Sequence, residues 1–185
     1  DTIKCCEKIL ERDADEEHAI KNKMRALEKL ELHDEVLRCC DILLSKNNKD
    51  VDVLVTKGIA LNKTGKHEDA MTLYDLALEL DKTNVDGLMN MAVTLNYLGR
   101  YQISTDNCDE SITILKKLYG DNSEHLIEPL INKAVALQNK GKYFDSINSL
   151  ENALSIELNN NKRKYSIASL YFNLGLNFAY LTEHE

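Results

Sequence analysis

The fold class this sequence predicts is all-α, a solenoid of antiparallel helix hairpins, and three observations predict it. The 185-residue chain has no Trp, a single Pro (Pro129) and seven Gly, while Leu, Ala, Lys and Glu are abundant, a composition that favours helix throughout. KCCEKIL at 4–10 and RCCDILL at 38–44 place the pairs Cys5-Cys6 and Cys39-Cys40 in near-identical surroundings, 34 residues apart. A fixed period of this length is the mark of stacked supersecondary units. Within residues 51–84 two apolar patterns of helical spacing flank a glycine turn: Leu54, Gly58 and Leu61 before it, Ala70, Tyr74, Ala77 and Leu78 after it. Gly65 between them is free to take the positive φ that ends a helix.

Stepping by 34 sets three blocks in register, starting at Glu17, Val51 and Val85. Their residues resemble the tetratricopeptide repeat family, whose pattern places a large residue at position 4, small ones at 8, 20 and 27, a turn Gly near 15 and an aromatic at 24. Residues 51–84 supply Leu54, Gly58, Gly65, Ala70, Tyr74 and Ala77, and residues 85–118 supply Leu88, Ala92, Gly99, Ser104, Cys108 and Ser111. Leu130, Ala134, Gly141, Ser146, Leu150 and Ala153 continue the match in a repeat at 127–160, so residues 119–126 are an insertion. The longer 42-residue spacing is similar to that of kinesin light chains. Residues 17–50 fit least well, with Met24 at the small position and Glu31 at the turn Gly. Residues 1–16 match only a second helix, and 161–185 a linker followed by a first helix containing Tyr171, Leu174, Gly175 and Phe178. The resemblance implies one right-handed solenoid over residues 1–185, read as a fragment of a longer protein.

Physics accounts for the pattern. Where two helices cross at about 8–10 Å, one presents a small side chain so that a large one can enter. Gly58, Ala92, Ala134 and Gly175 read as such contact points, with Tyr74 as a knob. A single hairpin cannot cover its apolar face, so hairpins stack and share a core. The family's usual Pro at position 32 is missing, so helix ends rest on the polar turns DADEE (13–17), NNKD (47–50) and DKTN (81–84).

The chemistry of a catalytic or metal site finds little support. Cys6 and Cys40 share position 24 with Tyr74, a core site where Cys acts as a small hydrophobe, and neighbours on a helix point about 100° apart, poor geometry for joint chelation. His33 and His67 stand at the same turn position, and His18, His125 and His184 have no partner at ligand spacing. No nucleophile elbow or phosphate loop is present. The expectation is a non-enzyme with no metal and no cofactor. A net charge of −8 argues against nucleic acid, the one dense basic cluster being Lys162-Arg163-Lys164. No apolar run of about 18 residues points to a membrane, and an odd count of five cysteines, four in adjacent pairs, points to a reducing cytoplasm.

The resemblance also implies a concave groove lined by first helices. Carried over residue by residue, it takes Lys21, Asn22 and Arg25 from the first complete repeat, then Val55, Ile59 and Asn62 from the second. Met89, Asn90, Val93 and Tyr97 come from the third, Ile131, Asn132 and Val135 from the fourth, and Phe172 and Asn173 from the last helix. Asn22, Asn90, Asn132 and Asn173 share one position; their amides suit the backbone of an extended peptide, although Asn is also simply the family's commonest residue there. Cations gather at the N-terminal end (Lys21, Arg25, Lys29, Lys63), so a peptide or protein ligand with an acidic end and apolar side chains is expected. The competing expectation is a structural spacer, or an oligomerisation module self-associating through exposed solenoid ends.

Overall fold

The computed structural model describes residues 2–11, 16–159 and 167–183. Residues 13–15 of the DADEE turn, the Lys162-Arg163-Lys164 cluster and His184 lie outside the described residues. The chain is an all-α solenoid of antiparallel helices. Its contacts group into two compact units, Asp1–Asn90 and Met91–Glu185, divided within one helix.

The first unit holds α1 (Thr2–Leu10), α2 (Glu17–Lys29), α3 (His33–Lys46), α4 (Val51–Lys63), α5 (His67–Leu80) and the start of α6 (Val85–Tyr97). The second holds the rest of α6, then α7 (Tyr101–Tyr119), a 3-10 turn at Glu124–Leu126, α8 (Ile127–Asn139), α9 (Tyr143–Asn159) and α10 (Ile167–Glu183). Helices α1 to α5 pack each on its successor, as do α7 to α10.

The tight turns share one construction. The N–H groups of Leu32, Lys66, Arg100 and Lys142 donate to the carbonyls of Leu27, Leu61, Leu95 and Leu137 at 2.8–3.1 Å, the closing bond of a Schellman C-cap. That bond requires a left-handed residue just before the donor. Gly65, Gly99 and Gly141 supply it at φ +80°, +72° and +78°, and Glu31 adopts φ +57° in their place. For a residue with a side chain, that conformation costs about 1–2 kcal/mol.

The longer linkers repeat a second construction. Asn47 Oδ1 accepts from the Lys49 N–H at 3.1 Å, and Asp81 Oδ1 accepts from the Thr83 N–H at 2.9 Å. Three residues later Asp50 Oδ1 accepts from the Val53 N–H at 3.2 Å, and Asn84 Oδ1 from the Gly87 N–H at 2.7 Å. Each linker is thus an Asx turn followed by an N-cap, which ends one helix and starts the next without the family's proline. Between α7 and α8 the route differs: Gly120 (φ +87°) ends α7, and Ser123 caps the 3-10 turn that runs into α8.

Side-chain volume at the hairpin crossings is shared rather than assigned. A Cβ at position 58 would lie 2.5 Å from Cε1 and 2.8 Å from Cζ of Tyr74, which is fully buried. One hairpin earlier the sizes are exchanged: Met24 stands where Gly58 does, and Cys40 stands where Tyr74 does. There the Cys40 thiol donates to Met24 Sδ at 3.5 Å. The later hairpins use intermediate pairs, Ala92 with Cys108 and Ala134 with Leu150, all buried. In these two, Ser104 and Ser146 donate to the Ala92 and Ala134 carbonyls, each at 2.8 Å. The reading of Gly175 as a contact point is corrected: it is exposed, and a Cβ there would meet nothing within 4 Å. Among the described residues no helix crosses that side of α10.

An ion-pair series also ties successive hairpins together. Lys23 binds Glu7 at 3.0 Å, Lys57 binds Asp41 at 2.6 Å and Lys133 binds Asp109 at 2.5 Å. Acid and lysine are 16 residues apart in the first two pairs and 24 in the third, the difference being the insertion. Asp75 holds the acid's register position, Met91 holds the lysine's, and burial first and then Glu79 push the Asp75 carboxyl up. The series was not anticipated from the sequence, although the regular acid-to-lysine spacing would have revealed it.

Gly58→Ala is expected to destabilise the fold by about 1–3 kcal/mol through overpacking. Combining it with Tyr74→Leu, which recreates the Ala134–Leu150 pair, should cost less than the sum of the single changes; additive unfolding free energies in urea would refute shared volume. Glu31→Gly should raise stability by about 0.5–1 kcal/mol in the same assay.

Candidate binding groove

In the first unit, α2, α4 and the start of α6 enclose a cleft of about 510 Å³. Met24, Val53, Val55 and Ile59 form its apolar surface; Lys21, Arg25, Glu28, Asp52, Asp86 and Asn90 are among its polar residues. Met24, Val53 and Val55 are buried and Ile59 is partly exposed, so the floor is closed and one aliphatic side chain stands open to a ligand. Helical spacing brings them together, since residues three and four apart on α2 and on α4 share a face.

Of the groove residues expected in this unit, Lys21, Arg25, Val55, Ile59 and Asn90 line the cleft. Asn22 does not; it lines a second cleft of about 570 Å³ with Cys6, Ile9 and His18. Asn62 is partly buried at the hairpin turn, where its Oδ1 pairs with His67 Nδ1. Met89 is buried. The Asn90 amide donates to the Asp86 carbonyl of its own helix at 2.8 Å. Met24 and Asn84 line the cleft without having been anticipated; Met24 had been read as a poor match to a small core position.

In the second unit Val93, Ile131, Asn132 and Asn173 are partly buried. Tyr97 and Phe172 are 69% and 66% exposed and Val135 is 37% exposed. Clefts of about 380 and 370 Å³ in this unit have other walls, sharing Asp109, Lys133 and Asn152.

In the first cleft, one of the cations behind the expected acidic ligand end is already paired within the fold. The Lys21 ammonium donates to Glu17 at 2.8 Å and to Asp50 at 2.9 Å, and these two carboxylates push its pKa up. Asp50 therefore works with both oxygens, one capping α4 and one holding Lys21. Lys29 and Lys63 are exposed at helix ends and do not line the cleft. Arg25 is the cation left there. Glu28 lies in the last turn of α2, where the helix dipole disfavours an anion. Burial pushes its carboxyl up, against a smaller opposing pull from Arg25.

Three buried thiols are chemically quiet. Burial drives Cys40 and Cys108 up to about 12 and raises Cys39 as well, so they remain protonated and fill space.

Family models described as tetratricopeptide repeat match residues 51–84 and 86–125. Solved structures agree over nearly the whole length. BtubC (BKLC) from P. vanneervenii superposes with a TM-score of 0.80 at 15% identity, over 98% of this chain and 80% of its own. Residues 51–84 and 86–125 are tetratricopeptide repeats, and the whole chain has their fold. TTC0263, described as a thermophilic tetratricopeptide-repeat protein of Thermus thermophilus, matches this repeat protein with a TM-score of 0.70 at 13% identity, covering 92% and 89% of the two chains. YrrB, described as a tetratricopeptide-repeat protein with an unusual peptide-binding site, matches with a TM-score of 0.65 at 17% identity, covering 84% and 76%. No curated protein sequence matches this repeat protein.

The raised Glu28 pKa carries a sign. A group whose folded pKa lies above its unfolded value stabilises the fold below the unfolded pKa, and this is lost as pH rises through the folded one. At pH 7 the ionised, half-buried carboxylate therefore costs stability. Glu28→Gln should raise Tm at pH 7 by roughly one to a few degrees, and the gain should vanish near about pH 3, where wild-type Glu28 is protonated. Thermal scans at both pH values check this; an equal gain at both would show that charge is not the cause.

Proposed function

We propose that this chain is a non-catalytic protein–protein interaction scaffold that takes a peptide segment in the groove of its first helices. The observation that carries the reading is the α2–α4–α6 cleft, with its buried aliphatic floor and its ring of polar side chains. A bound strand can bury alternate side chains on Val55 and Ile59 while its backbone meets polar groups on both sides. YrrB, whose fold this chain shares, is described by its peptide-binding site, which favours the same use here. No helix among the described residues is long and apolar enough to cross a membrane. The five cysteines are unpaired thiols, which suits a reducing, cytoplasmic setting.

The competing reading, a structural or self-associating spacer, leaves the cleft without a ligand. Panning immobilised protein against a random-peptide display library separates the two. Groove binding predicts enriched linear peptides whose affinity falls by about tenfold or more on Ile59→Asn, with Tm held within a few degrees. Failure to enrich peptides, or peptides that bind the variant equally, would overturn the groove and favour the spacer.

A further inference from the structure

The charges around the first-unit cleft narrow the kind of segment it can take. Three carboxylates line it, Glu28 from α2, Asp52 from α4 and Asp86 from α6, together with the Arg25 guanidinium. The other lining cation, Lys21, is held by Glu17 and Asp50. Among the described residues the side chains of Arg25, Glu28, Asp52 and Asp86 make neither a hydrogen bond nor an ion pair with another residue. With Lys21 neutralised in place, the cleft presents three negative groups against one positive group.

Helix physics accounts for two of these acids and not for the third. Asp52 and Asp86 sit in first turns, where the dipole favours an anion. Glu28 sits in a last turn, where the dipole opposes it, and it is half-buried beside apolar side chains. Its carboxyl is pushed up by that burial. An ionised group held by no hydrogen bond or ion pair and only weakly offset by Arg25, in a dipole-unfavourable and poorly solvated place, is relieved by a cation supplied from outside. Carboxylates at the mouth of a low-dielectric cleft also reinforce one another's field and draw cations toward it.

We propose that the segment bound here is basic: an extended peptide in which Lys or Arg side chains alternate with aliphatic ones. The cations meet Glu28, Asp52 and Asp86, and the aliphatic side chains rest on Val55 and Ile59. This rests on the peptide-groove reading above and assigns its charge. Complementarity of this kind sets preference and salt dependence.

The test uses three fluorescein-labelled heptapeptides with two variable positions set among leucine and valine: lysine in the first, glutamine in the second, glutamate in the third. Fluorescence anisotropy at low salt should rank lysine above glutamine by about tenfold or more, with glutamate weakest, and the lysine advantage should shrink as salt rises. Asp52→Lys/Asp86→Lys should reverse the order of the lysine and glutamate peptides while leaving the far-ultraviolet spectrum near wild type, with Tm lower by a few degrees from the loss of two first-turn anions. Glu28→Gln, which the fold tolerates or prefers at pH 7, should weaken lysine-peptide binding without weakening glutamine-peptide binding. Equal binding of the lysine and glutamine peptides, both lost on Ile59→Asn, would overturn the basic-peptide proposal and leave the groove reading standing. A preference for glutamate would do the same. If no display peptide competes for the cleft and none of the three binds, both readings fall together.

Discussion

Two antiparallel helices approach closely only if the side chains at their crossing fit a shared volume, and the hairpins of this chain depend on that constraint. Gly58 yields all of its space to Tyr74; Met24 takes the space and Cys40 yields it; the Ala92–Cys108 and Ala134–Leu150 pairs divide it. In three of the four crossings the sum is preserved rather than the residue at either position, as a nearly constant packing density favours; Ala92–Cys108, with Cys where the last crossing has Leu, is smaller. Chemical identity follows from this. A cysteine at position 40 is a consequence of methionine at 24, and its high pKa is a consequence of the burial that results.

Crossings of this kind require each helix to begin and end on register, and local polar chemistry provides it. The Asn47–Asp50 and Asp81–Asn84 linkers use the same two side-chain bonds at the same spacing, and the hairpin turns use one backbone bond with one left-handed residue. Glu31 shows that the bond matters more than the glycine, since the turn forms although the residue is strained. The ion-pair series tolerates the insertion because it depends on position within a hairpin rather than on distance along the chain.

The groove inherits its character from these structural demands. Asp50 caps α4 because a helix start needs an acceptor, and its second oxygen then neutralises Lys21. A cation that sequence position alone assigns to ligand binding is thereby withdrawn into the scaffold. Glu28 is the opposite case, an acid that the helix disfavours and that Arg25 offsets only in part. Charge at this surface is set by which groups the fold has already used.

The helical class, the hairpin period, the turn glycines and the polar linkers were legible in the residues, because each depends on interactions within a few positions or on a repeating register. The first-helix face that carries Lys21, Arg25, Val55, Ile59 and Asn90 was legible for the same reason. What the tertiary structure alone decided was pairing between segments far apart in sequence: Met24 with Cys40, Lys21 with Asp50, and the isolation of Glu28. It also separated Asn22 and Asn62 from the cleft, and left Gly175 without a neighbour. Sequence determines which side chains share a face, because helical geometry is local. Only the packed chain determines which of their charges remain available, because a long side chain reaches its partner through space.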